Sequence, residues 1–185
     1  MEPGTDLTRA ILERFLRAES MAKYALRAAL PDAPPEVADF LRRQEAEESD
    51  HQSRFERLLG IQAREREALP KMPTQWNACA VRLLGYEALG YEFALLAARG
   101  SSGGIREMLL EILEDEKRHV RFYEESLRRI LQGDENRARD TRLMVEAFLR
   151  RLPKTIERYL RGPELSAFQA GVLEAVCARF RALGL

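Results

Sequence analysis

The chain has 185 residues, with 30 Lys+Arg against 30 Asp+Glu, 45% hydrophobic residues and 32% charged ones. Zero net charge excludes a global field for nucleic acid or an anionic membrane. Two cysteines, Cys79 and Cys177, without a C-x-x-C, exclude a rubredoxin-type iron knuckle, a zinc ribbon or a disulfide framework. Ala, Leu, Glu and Arg dominate over Val and Ile, which favours helix, and the length suits one domain with a sizeable core.

Turn signals divide the chain into long helices. Helix 1 is expected from Asp6, a good N-cap, to Leu30 before Pro31, and "PDAPP" is the turn after it. Helix 2 starts near Pro35 and reaches about Gly60. "AREREALPKMP" is a polar connection, long enough to cross a bundle or to extend helix 2 into a short turn. Helix 3 runs from after Thr74 to Gly100, and "GSSGG" closes it. Helix 4 runs from about Ile105 to Gln132, stopping at Gly133. Two more are expected at about 137–161 and 164–183, the first kinked or split at Pro153. No stretch alternates as a strand would. The expectation is an all-α protein: one domain over 1–185, a four-helix core at 6–133 and two accessory helices at 136–183. "MEPGTDLTR" carries no leader pattern, and no apolar run nears the roughly 20 residues of a membrane span. A cytoplasmic protein without a transmembrane segment is expected.

Helix 2 poses a problem. Its apolar spacing through Val37, Leu41, Phe55 and Leu58 is interrupted by "EAEESDHQSR", where Glu48 and His51 occupy the inward stripe. In helix 4 the spacing of Leu109, Ile112, Tyr123, Leu127 and Ile130 puts Glu116 and His119 on the inward stripe. Both pairs are Glu-x-x-His, a spacing that aims two side chains at one point, and they contain the only two histidines. Helix 1 offers Glu19 on the face of Ile11, Phe15 and Ala22, and helix 3 offers Glu87 on the face of Ala80, Leu83 and Ala94.

Glu19 and Glu48 are 29 residues apart, as are Glu87 and Glu116, and the midpoints fall on the two turns. In an antiparallel hairpin such residues lie at one height, so the halves repeat at an offset of 68. Four glutamates and two histidines converging in a helical core form a ligand set for two metal ions. Four buried negative charges need that compensation, and imidazole favours iron or manganese over magnesium. Glu92 is the alternative to Glu87 in helix 3, because that helix is apolar nearly all round. Tyr86 and Tyr91 flank Glu87, and Tyr91, one turn later, is the candidate catalytic donor. Asp50 and Asp115 are candidate partners for the imidazole N–H groups. Residues 136–185 carry more Lys and Arg than Asp and Glu, and "RRLPKTIERYLRG" could face an anionic substrate, although such a helix is more often a solvated face.

"RAESMAKYAL", "EAEESDH", "LGYEALGYEF" and "EDEKRH" together resemble the ferritin-like di-iron carboxylate superfamily over about residues 7–132. The resemblance implies a ferritin-like four-helix bundle with Glu19, Glu48, His51, Glu87, Glu116 and His119 as metal ligands. Glu48 and Glu116 would bridge two iron ions, with manganese or a mixed pair as alternatives. Ferritins proper carry only the first Glu-x-x-His. Bacterioferritins place a haem-binding Met where this chain has Ser49, and rubrerythrins add a carboxylate where it has Gly90. What remains is similar to the oxidase and hydroxylase members, the demethoxyubiquinone hydroxylases and the tRNA hydroxylases. The former usually carry a His-Tyr pair where this chain has Glu92-Phe93. The likeness implies activation of O2, an external electron donor, an organic substrate that is tRNA or a hydrophobic small molecule, and a homodimer as one assembly. Ferroxidase or iron-storage activity, or rubrerythrin-like peroxide scavenging, is the alternative.

Overall fold

The structure, a computed structural model, describes residues 6–63, 71–162 and 165–185. Among the described residues it is all-α, with six α-helices and no strand. They are α1 (Asp6–Ala29), α2 (Pro35–Leu59), α3 (Trp76–Arg99), α4 (Gly103–Gln132), α5 (Glu135–Tyr159) and α6 (Gln169–Arg181). Short 3-10 turns occupy Leu30–Asp32 and Ser166–Phe168.

The ends follow local chemistry. Pro35 sits at the first position of α2, where a missing N–H costs nothing, and Gly60 closes that helix with φ +67°. The Asp134 side chain accepts from the Arg137 N–H at 2.9 Å and caps α5. Pro153 does not split α5, one of the two outcomes expected of it: the helix continues to Tyr159. Leu152 and Ile156 are buried within it and Leu160 just past its end, and that packing offsets the backbone bond the proline removes. The last helix is shorter than expected, because Ser166–Phe168 turns in 3-10 geometry before Gln169.

Two hydrogen bonds fix the order of directions. The Arg9 guanidinium donates to the Leu59 carbonyl at 3.4 Å, and the Thr8 hydroxyl to the Gly100 carbonyl at 3.1 Å. The start of α1 therefore meets the ends of both α2 and α3, so α2 and α3 run parallel. The end of α2 and the start of α3 thus lie at opposite ends of the helices, which excludes a short turn between them. Most of "AREREALPKMP", residues 64–70, lies outside the described residues.

Packing follows from this order. α1 lies against α2 and α3, α3 against α4, and α5 and α6 cover the outer side of α3. Sixteen of the 24 residues of α3 are buried, which is why it reads as apolar nearly all round. The Phe148 ring of α5 seats directly on Gly85, where a Cβ would collide with it. One apolar cluster joins all six helices. No helix among the described residues is long and apolar enough to cross a membrane.

Candidate metal centre

The apolar seam is interrupted at mid-height by six polar side chains, each almost inaccessible. Glu48, His51 and His119 are 1% exposed, and Glu19, Glu87 and Glu116 are 2% exposed. Helices supply them in the pattern the spacing requires: Glu19 from α1, Glu48 and His51 from α2, Glu87 from α3, Glu116 and His119 from α4. Two sets of four each offer ligand atoms lying within 4.8 Å of one another: Glu19, Glu48, His51 and Glu116, and Glu48, Glu87, Glu116 and His119. Glu48 and Glu116 belong to both sets.

The imidazoles are oriented from outside. His51 Nε2 lies 3.1 Å from Asp115 Oδ2, and His119 Nε2 lies 2.7 Å from Glu47 Oε2. An ionised carboxylate only accepts, so each Nε2 carries a proton, and Nδ1 is the nitrogen that faces the centre and would bind a metal once deprotonated. Both partners are held charged. Burial opposes Asp115, but His51 and Arg118 lower its pKa; His119 lowers that of Glu47 against burial. The two partners immediately precede the shared glutamates, so each acid-Glu-x-x-His motif orients the histidine of the other. Arg118 ties them together, at 2.5 Å from Asp115 Oδ1 and 2.9 Å from Glu47 Oε1.

A further relay reaches Glu48. The buried Tyr123 hydroxyl donates to Gln44 Oε1 at 2.6 Å, and the Gln44 amide donates to Glu48 Oε1 at 3.4 Å. Phe40 stacks on Phe122 with centroids 3.6 Å apart and stands edge-on to His119, so aromatic rings close that side.

The electrostatics fit a cation. Glu19 Oε1 and Oε2, Glu87 Oε1, His51 Nδ1 and His119 Nδ1 are buried with no hydrogen-bond partner, a costly condition for polar atoms unless something else binds them. Burial, then the charge of Glu48, pushes Glu19 and Glu116 well above the carboxylate range, and Glu87 up to about 7. Burial would raise Glu48 as well, but Glu19 and the two imidazoles hold it well below that range. His51 and His119 are raised by carboxylates that overcome their burial. Without metal, the site keeps protons that two dications would replace. Gly90 contributes space: a Cβ there would lie 2.9 Å from Glu116 Oε2.

Other candidates fall elsewhere. Glu92 is half-buried and faces the charges of Arg179 and Arg99, so the structure brings Glu87, not Glu92, to the centre. The Tyr91 ring lies under the Arg179 guanidinium, 4.8 Å from its centroid, and makes no hydrogen bond to the six. Tyr86 lines a separate cavity. Asp50 pairs with Arg54 at 2.7 Å rather than with a histidine. Sequence reasoning missed Glu47, Gln44 and Tyr123. Only Glu47 had a signal, since it stands 68 residues before Asp115. No family model, no curated protein and no solved structure matches this chain.

Proposed function

We propose that the protein is a di-iron carboxylate oxidase or hydroxylase of the ferritin-like type, with α1–α4 as its four-helix bundle and O2 and an organic molecule as substrates. One observation carries this reading: two buried ligand sets share Glu48 and Glu116 and leave both imidazole Nδ1 atoms without a partner. Glu19, Glu48, His51 and Glu116 would hold one ion, and Glu48, Glu87, Glu116 and His119 the other. Four carboxylates and two neutral imidazoles balance two divalent ions, and such a ligand set suits iron or manganese. When bound, the iron pair supplies the electrons and Lewis acidity that O2 reduction requires.

The remaining work belongs to the chain. Asp115 and Glu47 fix the imidazole tautomers, and Tyr123 through Gln44 orients one oxygen of Glu48. Gly90 keeps the space beside Glu116 free, and the absence of a carboxylate there weighs against rubrerythrin-like chemistry. The test is anaerobic titration with iron(II), then exposure to oxygen. Two ions per chain and O2 consumption that tracks bound iron are expected. One ion per chain, or none, would break the six-ligand assignment. A large cage by light scattering, taking up many irons per chain, would turn the reading toward storage.

A further inference from the structure

A second site lies between α1, α3 and α5. A cavity of about 390 Å³ opens there, within the range of about 300–1,000 Å³ typical of small-molecule clefts. Its floor is apolar, built from Met21 of α1, Val81 and Leu89 of α3, and Met144, Phe148 and Leu152 of α5. Among the described residues its polar edge is of one sign: Arg82, Arg151 and Arg158 line it, and no Asp or Glu does. Among the described residues no carboxylate pairs with these three guanidiniums, and Arg82 donates only to the Lys71 carbonyl, at 2.7 Å. Arg14 and Arg17 add to the field, flanking Arg158 and Tyr159 in an adjoining cleft, and Arg14 Nε is buried without a partner. On α5, Arg151, Thr155 and Arg158 follow at helical spacing, so the basic segment of the sequence aims two of its charges at this opening.

We propose that this cavity binds a small organic anion with an apolar tail, its head a carboxylate or phosphate held by Arg82, Arg151 and Arg158. An apolar floor gives a bare inorganic anion nothing to bury, and unpaired guanidiniums at the edge favour an anionic head over a neutral one. The cavity is walled by the helices that carry Glu19 and Glu87, with Met21 two residues beyond the first and Tyr86 and Leu89 flanking the second. That the bound anion is the organic substrate rests on the reading above; the binding itself does not.

The test is therefore run on the full chain both free of metal and loaded with iron, by calorimetry with decanoate, decanol and inorganic phosphate. Decanoate should bind both forms at least about tenfold more tightly than decanol, as expected for charge-assisted contacts, and phosphate should not compete. Ala78→Trp, which fills the cavity, should abolish binding. The pair Arg151→Ala and Arg158→Ala should weaken decanoate about tenfold and leave decanol unchanged. Unchanged circular dichroism shows that these variants fold. Equal affinity for decanoate and decanol, decanoate binding that survives Ala78→Trp, or attachment to anionic phospholipid vesicles without any decanoate binding would each overturn the proposal. Decanoate binding to a chain that takes up no iron would leave this site standing and remove the metal reading alone.

Discussion

The two halves of the centre hold the same residue types in unequal surroundings. In the α1–α2 half, His51 Nδ1 stands 3.7 Å from Glu19, 3.6 Å from Glu48 and 3.8 Å from Glu116. In the α3–α4 half, His119 Nδ1 stands 3.1 Å from Glu48 and 3.2 Å from Glu87, and its outer partner is closer, 2.7 Å against 3.1 Å. The helices differ in the same sense. α3 is packed by α1, α4, α5 and α6, whereas α1 has only α2 and α3 as major neighbours. A repeat of ligands thus does not make a repeat of sites: the closer His119 set lies on the more heavily packed helix pair. Metal should fill the His119 set before the His51 set.

The largest effects break the symmetry at the shared residues. Glu48→Ala or Glu116→Ala removes a ligand from both sets, so metal analysis after gel filtration should fall from two ions per chain to nearly none. Glu19→Ala and Glu87→Ala each touch one set and should retain about one ion. If all four variants lose the same amount, the two sets do not share their carboxylates.

Next come the carboxylates that orient the imidazoles. Loss of such a partner costs about 10–100-fold in metal affinity. Glu47→Ala should lie at the upper end and Asp115→Ala at the lower, because the Glu47 contact is shorter and serves the tighter histidine. Competition with a chelator of known affinity measures both. The reverse order would refute the ranking of the halves.

A third comparison separates metal binding from folding. Burial raises Glu19 in the metal-free protein, and both of its oxygens lack a partner. An acid whose folded pKa lies above its unfolded one gives up stability as pH rises from the unfolded value toward the folded one. At pH 4 Glu19→Gln and the parent should unfold alike. At pH 8 the metal-free variant should be more stable by about 1–3 kcal/mol, since a neutral amide replaces a poorly compensated carboxylate. With iron added the order should invert. Urea unfolding at the two pH values, with and without metal, reads all three. A variant less stable than the parent without metal would mean that Glu19 is structural.

How much of this was legible follows from the residues themselves. The convergence of the six could be read because histidine is rare here, because Glu-x-x-His recurs, and because equal distances from two turns place side chains at one height. Gln44 and Tyr123 could not be read. Gln44 is one more polar residue in a polar stretch, and Tyr123 occupies an apolar position where a ring is ordinarily packing. Which face of "EAEESDH" meets α4 depends on the rotation of α2, and only the 68-residue offset from Asp115 sets Glu47 apart from Glu45. Whether α5 would pass Pro153 or split there was left open by the sequence, because burial of Leu152 and Ile156 outweighs a local preference that spacing alone does not weigh. That α2 and α3 run parallel follows from the bonds of Thr8 and Arg9 to Gly100 and Leu59, which no sequence spacing announces.

The smallest effect contrasts two surface arginines. Arg54 on α2 bonds Asp50 at 2.7 Å and Glu111 at 2.8 Å, and Arg118 on α4 bonds Asp115 and Glu47 at 2.5 and 2.9 Å. Arg54 is about a third exposed and Arg118 about half, and both link α2 to α4. By stability alone they should be alike, each contributing about 0–1 kcal/mol. Their partners differ in consequence, because only the carboxylates held by Arg118 touch the histidines. Without Arg118 those carboxylates keep their imidazole bonds but lose the clamp that fixes their rotamers. Arg118→Ala should weaken metal binding about two- to fivefold, within the cost of loosening a charged hydrogen bond at the surface. Arg54→Ala should leave it unchanged, and both variants should melt together. Equal metal affinities in the two variants would show that the carboxylates are positioned by the histidines and the helix backbone alone.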